Sequence, residues 1–202
     1  MSTRKLSKKK EIVLLTAMVA VAFGVLMLMA FSLLSKKESA IGVGADGFSV
    51  FEKPGSDLGI TKVVSKQDTV AALGKSAKAV DTVEKSGVMS FNGRLGQTAT
   101  FPFTLPNGNK ATVDVDVLTY KDKEAYDNDN VLNGTGPAGS VDGNEVRYMP
   151  AVSIGTERVY ALLVTKDLKS YRFSISQPNS SAYIKEFRAQ DILKQIISKS
   201  NL

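Results

Sequence analysis

From Ile12 to Leu34 the sequence is apolar, broken by nothing more polar than Thr16 and Ser32. These twenty-three residues make a helix of about 34 Å, enough to cross a hydrocarbon core of about 30 Å with some tilt. A cleaved signal peptide is the competing reading, but its apolar region is normally about 7–15 residues. Cutting after Ala20-Val21-Ala22 would leave Phe23 to Leu34 as an exposed apolar tail, and Ala30-Phe31-Ser32 has the same defect in milder form. The pattern predicts an uncleaved transmembrane helix over 12–34, preceded by a tail over 1–11. A small, polar, glycine-rich stretch follows, SKKESAIGVGADG at 35–47, and reads as a flexible stalk.

Beyond the stalk the period shortens. Phe48 to Glu52 reads as extended. Ser65-Lys66-Gln67-Asp68 has the form of a helix N-cap with an acid three positions on, leading into Val70-Ala71-Ala72-Leu73 and stopping at Gly74. Lys75 to Lys85 reads as partly helical or irregular. Val88 to Phe91 precede a turn at Asn92-Gly93. Ala99, Phe101, Phe103 and Leu105 then alternate with Thr98, Thr100, Pro102 and Thr104, and Pro102 predicts an edge position or a bulge. Pro106-Asn107-Gly108-Asn109 turns the chain into a return strand. There Ala111, Val113, Val115 and Val117 share one face, and Thr112, Asp114 and Asp116 the other. Tyr120 to Leu132 reads as a short polar helix or turn, and 133–145 as a loop. Further strands are expected near Val146–Ser153, Arg158–Thr165 and Ser170–Ser176, separated by turns at Gly155-Thr156 and Lys166–Lys169. Ser180 or Ser181 can cap a closing helix to about Ser198, with an apolar face of Ile184, Phe187, Ile192, Leu193, Ile196 and Ile197. The expected fold is α+β: a transmembrane helix, then one domain over 48–202 of twisted antiparallel sheet packed by helices, including a long C-terminal one.

Charge then sets the orientation. The chain has 26 Lys and Arg against 20 Asp and Glu, a formal +6 with a pI of about 9.4. Residues 1–37 hold seven of those bases and one acid, Glu11, and so carry the whole excess. Residues 38–202 hold nineteen of each sign and are neutral. Arg4, Lys5, Lys8, Lys9 and Lys10 precede the apolar run, whereas only Lys36 and Lys37 follow it. By the positive-inside rule the amino end stays in the cytoplasm and the domain lies outside. A neutral domain has no field to gather phosphates, so nucleic acid is excluded as a partner.

The chain has no Cys, no His and no Trp. Lipoprotein processing and disulfides are thereby excluded, as are Ser-His and Cys-His catalytic arrangements and the commonest zinc ligands. The motifs that remain are weak. Gly42, Gly44 and Gly47 spell G-x-G-x-x-G, but no strand precedes them and no helix follows, so they belong to the stalk. Asp127, Asn128, Asp129 and Asn130 suggest a calcium loop. Started at Asp127, however, it has Val131 at position 5, Leu132 where glycine is needed and Ala138 where a bidentate glutamate is needed. Asp114 and Asp116 lie about 7 Å apart on one strand face, the ordinary alternation of a solvated face rather than a glycosidase pair. Ser7 and Lys10 match S-x-x-K inside the basic tail, without the companion motifs. Asn133-Gly134-Thr135 and Asn179-Ser180-Ser181 are glycosylation acceptors only in a glycosylating host. No catalytic, cofactor-binding or metal residue is assigned.

The stretches SKQDTVAALG at 65–74, ATVDVDVLTYKDKEAY at 111–126, VRYMPAVS, RVYALLVT and SYRFSISQPN resemble the PsbP-like family of small extracytoplasmic domains, which includes actinobacterial cell-envelope lipoproteins. That resemblance implies a capped helix ending in Leu-Gly, a twisted antiparallel sheet and a long closing helix, with no catalytic residues to carry over. This chain departs from it in lacking a lipobox cysteine and an internal cysteine pair, and in having a membrane helix as anchor. The function expected is that of a single-pass envelope protein, anchored in the lipid bilayer through 12–34. Its outer domain would bind an envelope protein or a small ligand, without catalysis and without a cofactor. The alternative is a structural subunit of an envelope-spanning secretion or division complex.

Overall fold

Strict alternation between residues 94 and 120 produces two eleven-residue strands, β5 (Arg94–Thr104) and β6 (Lys110–Tyr120). They are joined by the expected tight turn, in which the Gly108 N–H donates to the Leu105 carbonyl and the Leu105 N–H to the Asn109 carbonyl. Gly108 has φ of 90°, a left-handed value that favours glycine. The computed structural model describes residues 51–52, 57–91, 94–129, 136, 138–181 and 183–202. The basic tail, the 12–34 run and the 35–47 stalk lie outside the described residues, as do residues 92–93 and 130–135. No helix among the described residues is long and apolar enough to cross a membrane.

The described residues hold a curled antiparallel sheet in the order β1-β4-β5-β6-β10-β9-β8-β7. The remaining strands on this path are β1 (Phe51–Glu52), β4 (Met89–Phe91), β7 (Ala138–Val141), β8 (Asn144–Ile154), β9 (Glu157–Lys166) and β10 (Lys169–Pro178). Two short strands, β2 (Ala79–Val80) and β3 (Glu84–Lys85), pair with β5 on its β4 side. The helices are α1 (Ile60–Val63), α2 (Lys66–Leu73), α3 (Lys123–Asp127) and α4 (Glu186–Lys199).

Register builds the core. Phe101 pairs with Val113, Val113 with Ile175 and Ile175 with Tyr160, while Ala99, Val115, Phe173 and Leu162 make the next row. All eight side chains are buried on one face. Helix α4 lays Ala189, Ile192, Leu193, Ile196 and Ile197 into the same core. Each such large apolar side chain contributes about 1.5–3 kcal/mol by leaving water. Helix α2 starts at the predicted capping box: Ser65 Oγ accepts the Asp68 N–H at 3.1 Å and Asp68 Oδ2 accepts the Ser65 N–H at 3.3 Å.

Four expectations need correction. Pro102 is neither on an edge strand nor at a bulge, because β5 pairs with β6 in unbroken register through Pro102 and Thr112. Its missing donor falls on the other flank, between β2 and β3, where the Pro102 carbonyl accepts the Asp81 N–H. The 133–145 stretch contains strand β7, paired with β8 through a turn with Asp142 and Gly143 at positive φ. The closing helix begins at Glu186 rather than after Ser180 or Ser181, which form a 3-10 turn with Asn179. Gln177 explains the delay: its buried side chain accepts the Ile184 N–H at 2.9 Å and donates to the Ile184 carbonyl at 2.6 Å, tying up the backbone groups just before the extended Lys185 at the N-cap. Finally, Phe187 is 83% exposed and not part of the apolar face. At about 100° per residue it lies diametrically opposite Ile196 on the helix.

Candidate functional site

The second face of the sheet collects the polar halves of the same strands. Register sets Thr98, Asp116 and Arg172 in one row across β5, β6 and β10, and Thr100, Asp114 and Ser174 in the next. Thr98 Oγ1 donates to Asp116 Oδ1 at 2.6 Å, and Arg172 donates to Asp116 Oδ2 through Nε at 2.8 Å and Nη2 at 2.7 Å. Asp114 accepts Thr100 Oγ1 on one oxygen and Thr112 Oγ1 on the other, each at 2.7 Å. Further along, Ser176 Oγ donates to Glu157 Oε2 at 3.0 Å.

This strip is half-buried rather than fully solvated. The Asp116 side chain is only 16% exposed. Burial, then the neighbouring Asp116 charge, push the Asp114 carboxyl above its usual range, against the pull of Thr100, Thr112 and Arg172. The Asp116 charge in turn holds Arg172 more firmly protonated. Both oxygens of each aspartate are therefore engaged by the protein's own donors. A general acid needs a proton within reach of a substrate; here both Asp114 oxygens are taken up by threonine hydroxyls.

A second polar cluster lies at the far end of the same face. Tyr120, paired across the ladder with Arg94, donates its hydroxyl to Asp129 Oδ2 at 2.6 Å and lies 3.2 Å from Ser170 Oγ. Arg94 Nη1 meets the same Asp129 oxygen at 3.0 Å and its guanidinium stands 5.4 Å from the centre of the Tyr120 ring. Tyr126 of α3 meets that ring edge-on. Burial, then the bond to Asp129, push the Tyr120 phenol well above its usual value. Asp129 is 1% exposed and thus pins the end of α3 to the sheet.

The calcium reading fails on direction as well as spacing. Asp129 turns inward to Arg94 and Tyr120, whereas Asp127 turns outward to Lys123 at 2.5 Å. Among the described residues no group of three or more acidic, His or Cys side chains could hold a metal ion. Asn179 is exposed in its 3-10 turn, with its N–H donated to the Thr156 carbonyl. Ser7, Lys10, Gly42, Gly44, Gly47 and the 133–135 acceptor lie outside the described residues. Thr98, Thr100, Thr112 and Arg172 were not singled out by sequence. Their shared parity on three strands was the signal, but only register turns parity into contact.

No family model matches this chain, and no curated protein matches it. The PsbP-like resemblance thus rests on the order of elements and the stretches quoted for it. Among solved structures, the chain is similar to the extracellular domain of PknH from Mycobacterium tuberculosis, at 9% identity over 74% of this chain and 98% of that one. The TM-score is 0.37, too low for that likeness to assign this chain a location or a role.

Proposed function

We propose that this chain is a single-pass envelope protein whose outer domain is a non-enzymatic binding module, held to the bilayer by residues 12–34. The observation that carries the reading is the placement of charge. Residues 1–37 hold the whole +6 around an apolar run long enough to span, and the remaining 165 residues are neutral. Catalysis finds no support in the side chains: the chain has no His or Cys, and the Asp114–Asp116 pair is occupied by Thr98, Thr100, Thr112 and Arg172. A tethered, neutral, self-satisfied domain suits recognition of an envelope protein or a small ligand.

Because the chain contains no Cys, single cysteines serve as topology reporters. Ser7→Cys and Lys199→Cys, expressed one at a time in intact cells, are treated with a membrane-impermeant maleimide. The expected result is labelling of Lys199→Cys alone, with Ser7→Cys labelled only after the membrane is opened. Labelling of Ser7→Cys in intact cells, or of neither until lysis, overturns the reading.

A further inference from the structure

The outer domain is neutral only as a sum. Residues 60–76 and 183–199, which contain α1, α2 and α4, carry seven bases and three acids, a net of +4. Because residues 38–202 sum to zero, the rest of that stretch carries the compensating −4. Five lysines of the helical stretches, Lys62, Lys66, Lys75, Lys185 and Lys199, are exposed and make no ion pair among the described residues.

The same helices hold the misplaced apolar surface. Of the four large hydrophobic side chains exposed among the described residues, Val70, Tyr183 and Phe187 are here, and only Leu168 is elsewhere. Phe187 stands on the outer side of α4, opposite the core stripe, at 83% exposure, with Tyr183 at 48% just before the helix. Arg188 Nε donates to Ser76 Oγ at 3.3 Å, which sets the stretch carrying Lys75 beside the stretch carrying Lys185 and Phe187.

We propose that this helical face docks on the anionic surface of the membrane that anchors the chain. The proposal rests on the anchored reading above. Exposed aromatic rings and unpaired lysines on the same helical stretches suit the headgroup region: the rings enter the acyl boundary while the lysine stems lie along it and their ammonium groups meet lipid phosphates. The tether permits it. Residues 35–50 could span about 50 Å at full extension, more than the roughly 37 Å of an eleven-residue strand, so the helical face can turn down onto the bilayer. A domain held that close meets its surface at high effective concentration.

The absence of Trp supplies the probe. Phe187→Trp, at a site open to solvent, introduces a single indole into the full chain, which is reconstituted into vesicles of phosphatidylcholine with or without phosphatidylglycerol. The expected result is blue-shifted emission, quenched by brominated acyl chains, in phosphatidylglycerol vesicles only. High salt should abolish both effects, as should the paired changes Lys75→Glu and Lys185→Glu. Unshifted, unquenched emission in phosphatidylglycerol vesicles that retain the protein through an alkaline wash overturns the docking and leaves the anchor standing. Loss of the protein in that wash overturns both. A blue shift that follows protein density instead of lipid charge assigns the face to a second copy of the chain and also overturns the proposal.

Discussion

Asp114 is an ionisable group placed where its charge is opposed. Its carboxyl binds a proton more tightly in the folded chain than at the ordinary value of 3.8, because it is buried beside Asp116. The contribution to stability is therefore complete below the unfolded value and is lost as pH rises through the raised one. An amide at this position keeps an acceptor for one threonine hydroxyl and carries no charge. Asp114→Asn should flatten the pH dependence of the melting temperature and raise it at neutral pH, as thermal unfolding from acid to neutral pH would show. Leu168 is a different kind of strain. It follows Asp167 in the β9–β10 turn, and the two have φ of 56° and 50°. Left-handed backbone costs a branched residue about 1–2 kcal/mol, against about 0.5–1 kcal/mol for the extra freedom glycine brings to the unfolded chain. Leu168→Gly should thus gain about 0.5 kcal/mol, a rise of a degree or two in melting temperature for a chain of this size.

Helix α4 shows what one element can and cannot reveal beforehand. Ile192, Leu193, Ile196 and Ile197 fall at helical spacing, and the structure buries all four. Leu193→Ala should cost about 2–5 kcal/mol by leaving a cavity, whereas Phe187→Ala should change stability by less than about 0.5 kcal/mol. Comparing the two by chemical denaturation tests which face is which. The helical period alone sets Phe187 opposite Ile196, so excluding it from the apolar face did not require knowing the helix start. That start was hidden by Gln177, whose hold on Ile184 is a tertiary contact. The β5–β6 hairpin was legible except at Pro102, since turn residues and alternation agreed. Strand β7 was not, because Ala138-Gly139-Ser140-Val141 has no apolar alternation and exists by pairing with β8. The polar strip was half legible: Asp114 and Asp116 announced a face, but Arg172 reaches Asp116 from a strand 56 residues away.

At the scale of the whole molecule, the sheet among the described residues does not close on itself, so it has two flanks to protect. On one, β7 covers only Asn144–Arg147 of β8, with a further bond from the Gly136 N–H to the Tyr148 carbonyl. Beyond that, Pro150 and a register shift between Met149 and Val152 interrupt the strand. Such interruptions blunt an edge against pairing with another chain. Pro150→Val should promote edge-to-edge association, seen as a concentration-dependent increase in light scattering by the detergent-solubilised chain. The opposite flank is guarded by brevity. Among the described residues, strand β1 is joined to β4 through Phe51–Ser90 and Glu52–Met89 alone. If residues 12–34 anchor the chain as proposed, tension from the membrane reaches this pair before any other hold among the described residues. The next hold is Leu58, whose N–H is donated to Gln97 Oε1 at 2.9 Å, with Gln97 rooted in β5 and its amide donating to the Ser86 carbonyl. A chain anchored in the proposed way would give up the two-residue β1–β4 pair before strain reached β5, lengthening its tether while the long strands stayed paired.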